Sequence, residues 1–238
     1  LVPLLVFGGL AVQALDAGMR DAVGRGMSEV TTRTAAQIDQ WVSRTASLLV
    51  ALGAELQGTD LSPWQQERAV RNYLLAFPEF RSITLYSAQG RPLASTRLAI
   101  EALPPPPDLP LPEHGVAFSS VAIDDDALPI VWIVTAVRST AGEPERLVAS
   151  ISLEEMWRVV DGLRIGTAGH ALLVEPGGRL LAHGDPAEKA RIARGELLHR
   201  HPLLDRQQPP GTVLEYASDT GTEFLAAAAS VPSTGWLL

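Results

Sequence analysis

His199-Arg200-His201, with His183 upstream, is the densest set of imidazoles in the sequence, and imidazole is a good ligand for zinc or copper. Two histidines at i and i+2 share a face only on a strand. This stretch reads as the end of a helix or a loop, so no metal is expected there. Asp124-Asp125-Asp126 offers carboxylates to a hard cation, but the Gly and Glu spacing of an EF-hand is missing, and a solvated acidic turn is the simpler reading. Asp185, His183 and a serine would form a hydrolytic triad only by free choice among many serines. Neither Gly-x-Ser-x-Gly, His-Glu-x-x-His, Gly-x-x-x-x-Gly-Lys nor Gly-x-Gly-x-x-Gly occurs. Cysteine is absent altogether, which excludes disulfides, thiolate metal sites, iron–sulfur clusters and Cys nucleophiles. The segment is therefore expected to hold no catalytic residue, no metal and no cofactor.

What remains is chemistry of recognition. Tyr86, Ser119, Ser120, Trp132, Thr135, Ser150 and Ser152 are polar or aromatic residues set inside otherwise apolar stretches. A small-molecule pocket needs a flat packing surface and a few hydrogen-bonding groups, so Tyr86, Trp132 and Ser150 are the candidate ligand-binding residues. Trp132 and Thr135 differ by three positions and point to opposite faces of a regular strand. Nucleic acid is not an expected partner, because Lys+Arg 19 against Asp+Glu 27 leaves a net charge of -8 and no basic run.

The elements that would position these residues follow from hydropathy. The sequence is 46% hydrophobic and 19% charged, which rules out wholesale disorder. Residues 1–15 carry no charge, and a membrane-spanning helix needs about 20 such residues, so this stretch reads as the last part of a spanning helix. A signal-peptide core and a buried helix are the competing readings. From residue 15 to 57 apolar residues recur every three or four positions, through Ile38, Val42, Leu49, Leu52 and Leu56, on one long stalk helix that Gly24 and Gly26 could bend. Ser62-Pro63 then reads as a cap opening a second helix over 63–76.

From residue 77 the period changes to two. Strands are expected at 82–86, 91–96, 116–123, 130–137 and 147–153, then a helix over 153–163. Six of the 18 prolines fall within 103–112, which makes that stretch an extended surface loop. A strand at 170–174, a helix near 186–198 and strands at 212–217 and 222–230, joined by a turn at 218–221, complete the chain. Residues 85–95 (LYSAQGRPLAS) and 173–183 (LVEPGGRLLAH) echo each other at an offset of 88, each an apolar strand, a Gly turn and Arg-x-Leu-Ala. The echo argues for two related modules in tandem, each an antiparallel sheet with helices on one side.

A membrane stub, a long helix, two small sheets and the closing VPSTGW resemble the double Cache (dCache) extracellular sensor domains of bacterial transmembrane receptors. The resemblance is carried by AQIDQWV (36–42), FPEFRSITLY (77–86), LRIGTAGHALLVEPGG (163–178), LLAHGDP (180–186) and the stretch 221–236. The pattern around Trp157 and residues 164–169 looks most like versions attached to histidine kinases; diguanylate cyclase, phosphatase and chemoreceptor outputs stay open. The resemblance implies an α+β fold: residues 1–15 ending a transmembrane helix, 16–77 a stalk helix and second helix, 78–152 a membrane-distal PAS-like module, 153–163 a connecting helix and 164–238 a membrane-proximal PAS-like module. It implies an inner-membrane protein whose domain faces the periplasm or cell exterior, a homodimer, and an unknown small-molecule ligand as partner. Amino-acid-binding versions carry Arg-x-Trp-Tyr before the third strand and an Asp before the final strand's Ile-x-Leu. Here residues 97–112 lack the first, and Ser150 stands in the place of the Asp. A hydroxyl does not balance a buried ammonium, so α-amino acids are not expected to bind by that mode. A constitutive periplasmic binding or adaptor module without coupled output is the alternative function.

Overall fold

Fifty-five consecutive residues without an internal proline beyond Pro3 form α1 (Val2–Leu56), and the structure, a computed structural model, carries this helix unbroken through Gly24 and Gly26. It describes residues 2–57, 61–98, 103, 105–124, 128–138, 143–163, 169–198, 204, 211–217 and 221–238, with side chains from Ala17 onward except that of Ala193. Among the described residues no helix is long and apolar enough to cross a membrane. The chain divides into two units, one of residues 40–159 and 189–194, the other of 1–39, 160–188 and 195–238.

In the first of these units the end of α1 buries Val42, Thr45, Leu49, Leu52 and Leu56, the three-and-four spacing of an apolar stripe. Gln57 is followed by α2 (Pro63–Ala76), which Ser62 caps: the Gln65 side-chain oxygen accepts the Ser62 backbone N–H at 2.9 Å. Six strands follow: β1 (Phe80–Tyr86), β2 (Pro92–Ser95), β3 (Ala117–Phe118), β4 (Ala122–Ile123), β5 (Pro129–Arg138) and β6 (Pro144–Ser152). They make one antiparallel sheet in the order β2-β1-β6-β5-β3, with β4 also beside β5. One face presents Ile83, Leu85, Ile133, Leu147 and Ile151, all fully buried. α1 lies against this face at Gly53, where a Cβ would stand in ordinary contact, 3.4 Å from Val137 and 3.5 Å from Thr135. Each such side chain contributes roughly 1.5–3 kcal/mol by leaving water. Helix α3 (Glu154–Gly162) comes next, burying Met156 and Val160, and Lys189 of the short α4 (Lys189–Ala193) sits 5.4 Å over the Trp157 ring.

The other unit contains β7 (Leu172–Val174), β8 (Leu180–His183), β9 (Val213–Ala217), β10 (Glu223–Ala227), β11 (Ser230–Val231) and β12 (Trp236–Leu237). Its four-stranded sheet runs β11-β12-β7-β8, and β9 and β10 form a separate ribbon. The first part of α1 belongs here: Gly24 meets Val213, Ser28 Oγ donates to the Gly211 carbonyl at 3.0 Å, and Asp39 accepts the Ser233 N–H at 2.8 Å.

The 88-residue echo is present in the hydrogen bonds. Thr84 pairs with Ser95 and Leu85 with Ala94; Leu172 pairs with His183 and Leu173 with Ala182. Both hairpins shift register at the next residue, Tyr86 in one and Val174 in the other. Ser87 N–H donates to Arg91 at 2.8 Å, and Glu175 N–H to Arg179 at 3.0 Å. Gly90 and Gly178 turn the chain at φ 76° and 85°, the left-handed region that glycine enters without penalty. A long helix followed by antiparallel sheets with short helices makes this an α+β fold of tandem PAS-like modules.

The structure corrects three expectations. The strand expected over 116–123 is two fragments, because the Ser119 hydroxyl takes the Trp132 N–H at 2.9 Å and interrupts the ladder. The helix expected over 186–198 is a 3-10 turn (Pro186–Glu188) followed by α4; it stops where Gly195 takes φ 64°, after which Glu196 and Leu198 hydrogen-bond residues 180 and 178. The strand expected over 222–230 changes partner midway: β10 pairs with β9, whereas Ala229 exchanges backbone bonds with Leu238. His199, His201, Asp125, Asp126, residues 164–168 and the turn at 218–220 lie outside the described residues.

Candidate functional site

Residues directly opposite one another in an antiparallel sheet point to the same face. Trp132 stands opposite Ser150, Ser150 opposite Ser82, and Tyr86 opposite Arg146. The register therefore places Tyr86, Trp132 and Ser150 together on the face of the sheet turned away from α1. Thr84, Val148 and Val134 fill the row between them. Thr135 is on the other face, where its hydroxyl donates to the Gly115 carbonyl at 2.7 Å. Ser119 is consumed by the Trp132 backbone, and Ser152 lies beside Glu154 at 3.3 Å.

The hydroxyls on this face are partnered across strands. Ser82 and Ser150 share a hydrogen bond of 2.7 Å, and Thr84 and Ser95 one of 2.8 Å. Ser95 and Ser150 are buried, so these bonds satisfy groups that water does not reach. Tyr86 hydrogen-bonds the Thr84 side chain; burial pushes its phenol above the ordinary tyrosine value, with the nearby Arg97 charge and the Thr84 bond working the other way.

A roof covers one end. Leu109 and Leu111, from the proline-rich stretch, pack with Trp132 against the cluster of Tyr86, Val134 and Val148. Arg146, on the same face, donates from Nη1 to the Leu109 carbonyl at 2.8 Å and so fixes the roof to the sheet. At the opposite end Arg81 pairs with Asp124 at 3.1 Å, and Asp124 also accepts the Leu128 N–H at 2.9 Å. Among the described residues no group of three or more His, Cys, Asp or Glu is placed to hold a metal. The face offers an indole, a phenol, a guanidinium and paired hydroxyls, which is equipment for stacking and hydrogen bonding.

Sequence reasoning missed Ser82, Thr84, Ser95 and Arg146. A signal for two of them was present, since Ser82 and Thr84 alternate with Ile83 and Leu85 as one-sided polar residues do. Nothing local pointed to Arg146, whose use depends on a loop 37 residues away in sequence.

A family model described as Cache domain matches residues 16–238. No curated protein matches the chain. Among solved structures, the ligand-binding domain of the Pseudomonas aeruginosa PAO1 amino acid chemoreceptor PctC, in complex with GABA, is 18% identical with a TM-score of 0.67, covering 90% of this chain and 96% of that one. The sensory domain of the Campylobacter jejuni chemoreceptor Tlp3 with isoleucine bound is 12% identical with a TM-score of 0.67, covering 93% and 92%. The extracellular domain of a putative histidine kinase, mmHK1S-Z3, is 14% identical with a TM-score of 0.70, covering 91% and 92%. At these identities the likeness is one of fold.

Proposed function

The chain belongs to the Cache domain family, and on that premise we propose that it is the extracytoplasmic ligand-sensing domain of a transmembrane receptor, with a histidine kinase as output. The membrane-distal module is residues 78–152, the proximal one 164–238, and Tyr86, Trp132 and Ser150 contact the ligand. The observation that carries this reading is the gathering of those three side chains on one sheet face, beneath a proline-rich roof that Arg146 ties down. The opposite face is covered by α1, whereas on this one Tyr86 and Ser150 are buried, Tyr86 beneath leucines of the roof, which a ligand would displace. The fold shared with chemoreceptor and kinase sensory domains supports the sensing role.

In mechanism, the ligand stacks on Trp132, meets the Tyr86 and Ser150 hydroxyls, and displaces or tightens Leu109 and Leu111. A ligand shifts an equilibrium only by its differential affinity for the two states. The roof is the element that distinguishes them here, because its position decides whether Tyr86 and Val134 are covered by leucine or by ligand. The shift is then passed along α1 of a homodimer to the inner membrane.

The test is a thermal-shift survey of the purified chain against small organic acids, amines, sugars and purines. A binder at a hundred times its Kd stabilises by about 2.7 kcal/mol. We expect a saturable rise in Tm with at least one compound, lost in Trp132→Ala, and a change in autophosphorylation when that compound meets the full receptor. A survey without a hit, or a hit indifferent to Trp132→Ala and Tyr86→Phe, overturns the reading.

A further inference from the structure

The unit of residues 1–39, 160–188 and 195–238 contains a cavity of about 290 Å³ of its own. Val23, Met27 and Thr31 of α1 line one side, and Tyr216 and Phe224 of the β9–β10 ribbon line another, with His170 also in the wall. An apolar cavity of roughly 150 Å³ already accepts benzene, so this one has room for a ring with a substituent. Tyr216 and Phe224 stack with centroids 5.5 Å apart and planes 21° from parallel, which supplies a flat aromatic surface.

Two features set the chemistry of an occupant. No Asp, Glu, Lys or Arg side chain is among the described residues lining the cavity, a wall that suits a neutral occupant better than a charged one. The Thr31 side chain is the second. It is only 8% exposed and lines the cavity. Thr45, farther along the same helix and 1% exposed, spends its hydroxyl on the Trp41 carbonyl at 2.9 Å. Thr31 thus offers a hydrogen-bonding group at the wall of a mostly apolar hollow.

We propose that this cavity is a second ligand site, separate from the Trp132 face, and that it takes a neutral, flat, mostly apolar molecule whose single hydrogen-bonding group pairs with Thr31. The molecule lies against the Tyr216–Phe224 pair. Occupation fills the space between α1 and the ribbon, so it acts on the helix directly and independently of the other site.

Benzyl alcohol and ethylbenzene, similar in shape but with and without a hydroxyl, are the probes. Calorimetric titration of the purified chain should give one saturable site for benzyl alcohol, with ethylbenzene about two- to tenfold weaker, the range of one net hydrogen bond. Thr31→Val keeps the side-chain shape and should erase that difference. Ala226→Phe fills the hollow and should abolish both, while Trp132→Ala should change neither, which separates this site from the one proposed above. Should Ala226→Phe fail to fold, Thr31→Val decides alone. No saturable binding at millimolar probe, or a preference for benzyl alcohol that survives Thr31→Val, overturns the proposal.

Discussion

The hydroxyls of Ser82 and Ser150 lie 2.7 Å apart across β1 and β6, each the other's partner on a face where Trp132 closes the row. Breaking such a pair from one side leaves the remaining hydroxyl unsatisfied, while removing both does not. Ser150→Ala is therefore expected to destabilise by about 1–3 kcal/mol, and Ser82→Ala/Ser150→Ala by less than the two single changes summed. Urea denaturation of the four proteins measures the coupling. Strict additivity would mean that the pair is incidental.

The same neutrality bears on specificity. The resemblance to amino-acid-binding versions puts Ser150 where those carry an Asp, and a serine holds an ammonium without balancing its charge. Titration of the chain with the common α-amino acids is expected to show no binding in the micromolar range. Micromolar affinity for any of them, lost in Ser150→Ala, would show that the hydroxyl suffices.

Arg146 and the Leu109 carbonyl, 2.8 Å apart, hold the roof. A hydrogen bond to a charged group is worth roughly 1.5–3 kcal/mol, so Arg146→Met, which keeps the stem but not the guanidinium, should loosen residues 105–112 without unfolding the sheet. Hydrogen exchange should speed up at Leu109 and Leu111 and stay unchanged at Ile133 and Leu147. Equal acceleration at all four would place the role of Arg146 in the whole sheet.

Parity made part of this face legible in the sequence. Trp132 and Thr135, three apart, were bound to diverge, and they do; period-two alternation likewise marked the strands that carry Tyr86 and Ser150. Register was not legible, because which residue opposes which depends on turn geometry and on bulges such as those after Phe80 and Leu85. The 88-residue echo was visible because a tight Gly turn constrains its flanks locally. The split of 116–123 was hidden, since it comes from Ser119 reaching a strand 13 residues away. The cavity beside Thr31 had no local signal at all: its walls come from α1, the start of β7 and the β9–β10 ribbon, which only tertiary packing assembles.

Tyr86 gives the face a pH dependence at its alkaline end. Its phenol is raised above the usual value of 10.0 chiefly by burial, so the folded state favours the protonated form. That preference stabilises fully below about pH 10, the unfolded value, and is lost as pH rises through the folded one. Tyr86→Phe should be the less stable protein at neutral pH, by about 0.5–1.5 kcal/mol for the lost Thr84 bond. The gap should close as pH climbs past 10, followed by urea midpoints in parallel titrations. A gap that stays constant to pH 11 would mean that Tyr86 ionises in the fold as freely as in the unfolded chain.

Gly90 and Gly178 hold equivalent places in the twin hairpins, and both sit at positive φ, where a Cβ costs roughly 1–2 kcal/mol. Their surroundings differ. A Cβ on Gly90 would meet only Pro106 side-chain carbons, the nearest at 3.5 Å. On Gly178 it would approach the Leu198 carbonyl oxygen at 3.4 Å, and that backbone is fixed because Leu198 N–H donates to the Gly178 carbonyl at 2.8 Å. Both distances are ordinary van der Waals contact, so the dihedral is the cost at either position and Gly178→Ala should lose about as much stability as Gly90→Ala, roughly 1–2 kcal/mol. Asn, which tolerates the left-handed region, should recover much of the loss at both residues. Chemical denaturation of the four variants measures this, and a failure of Asn to rescue residue 178 alone would show that the neighbouring Leu198 backbone, and not the dihedral, selects glycine in the second hairpin.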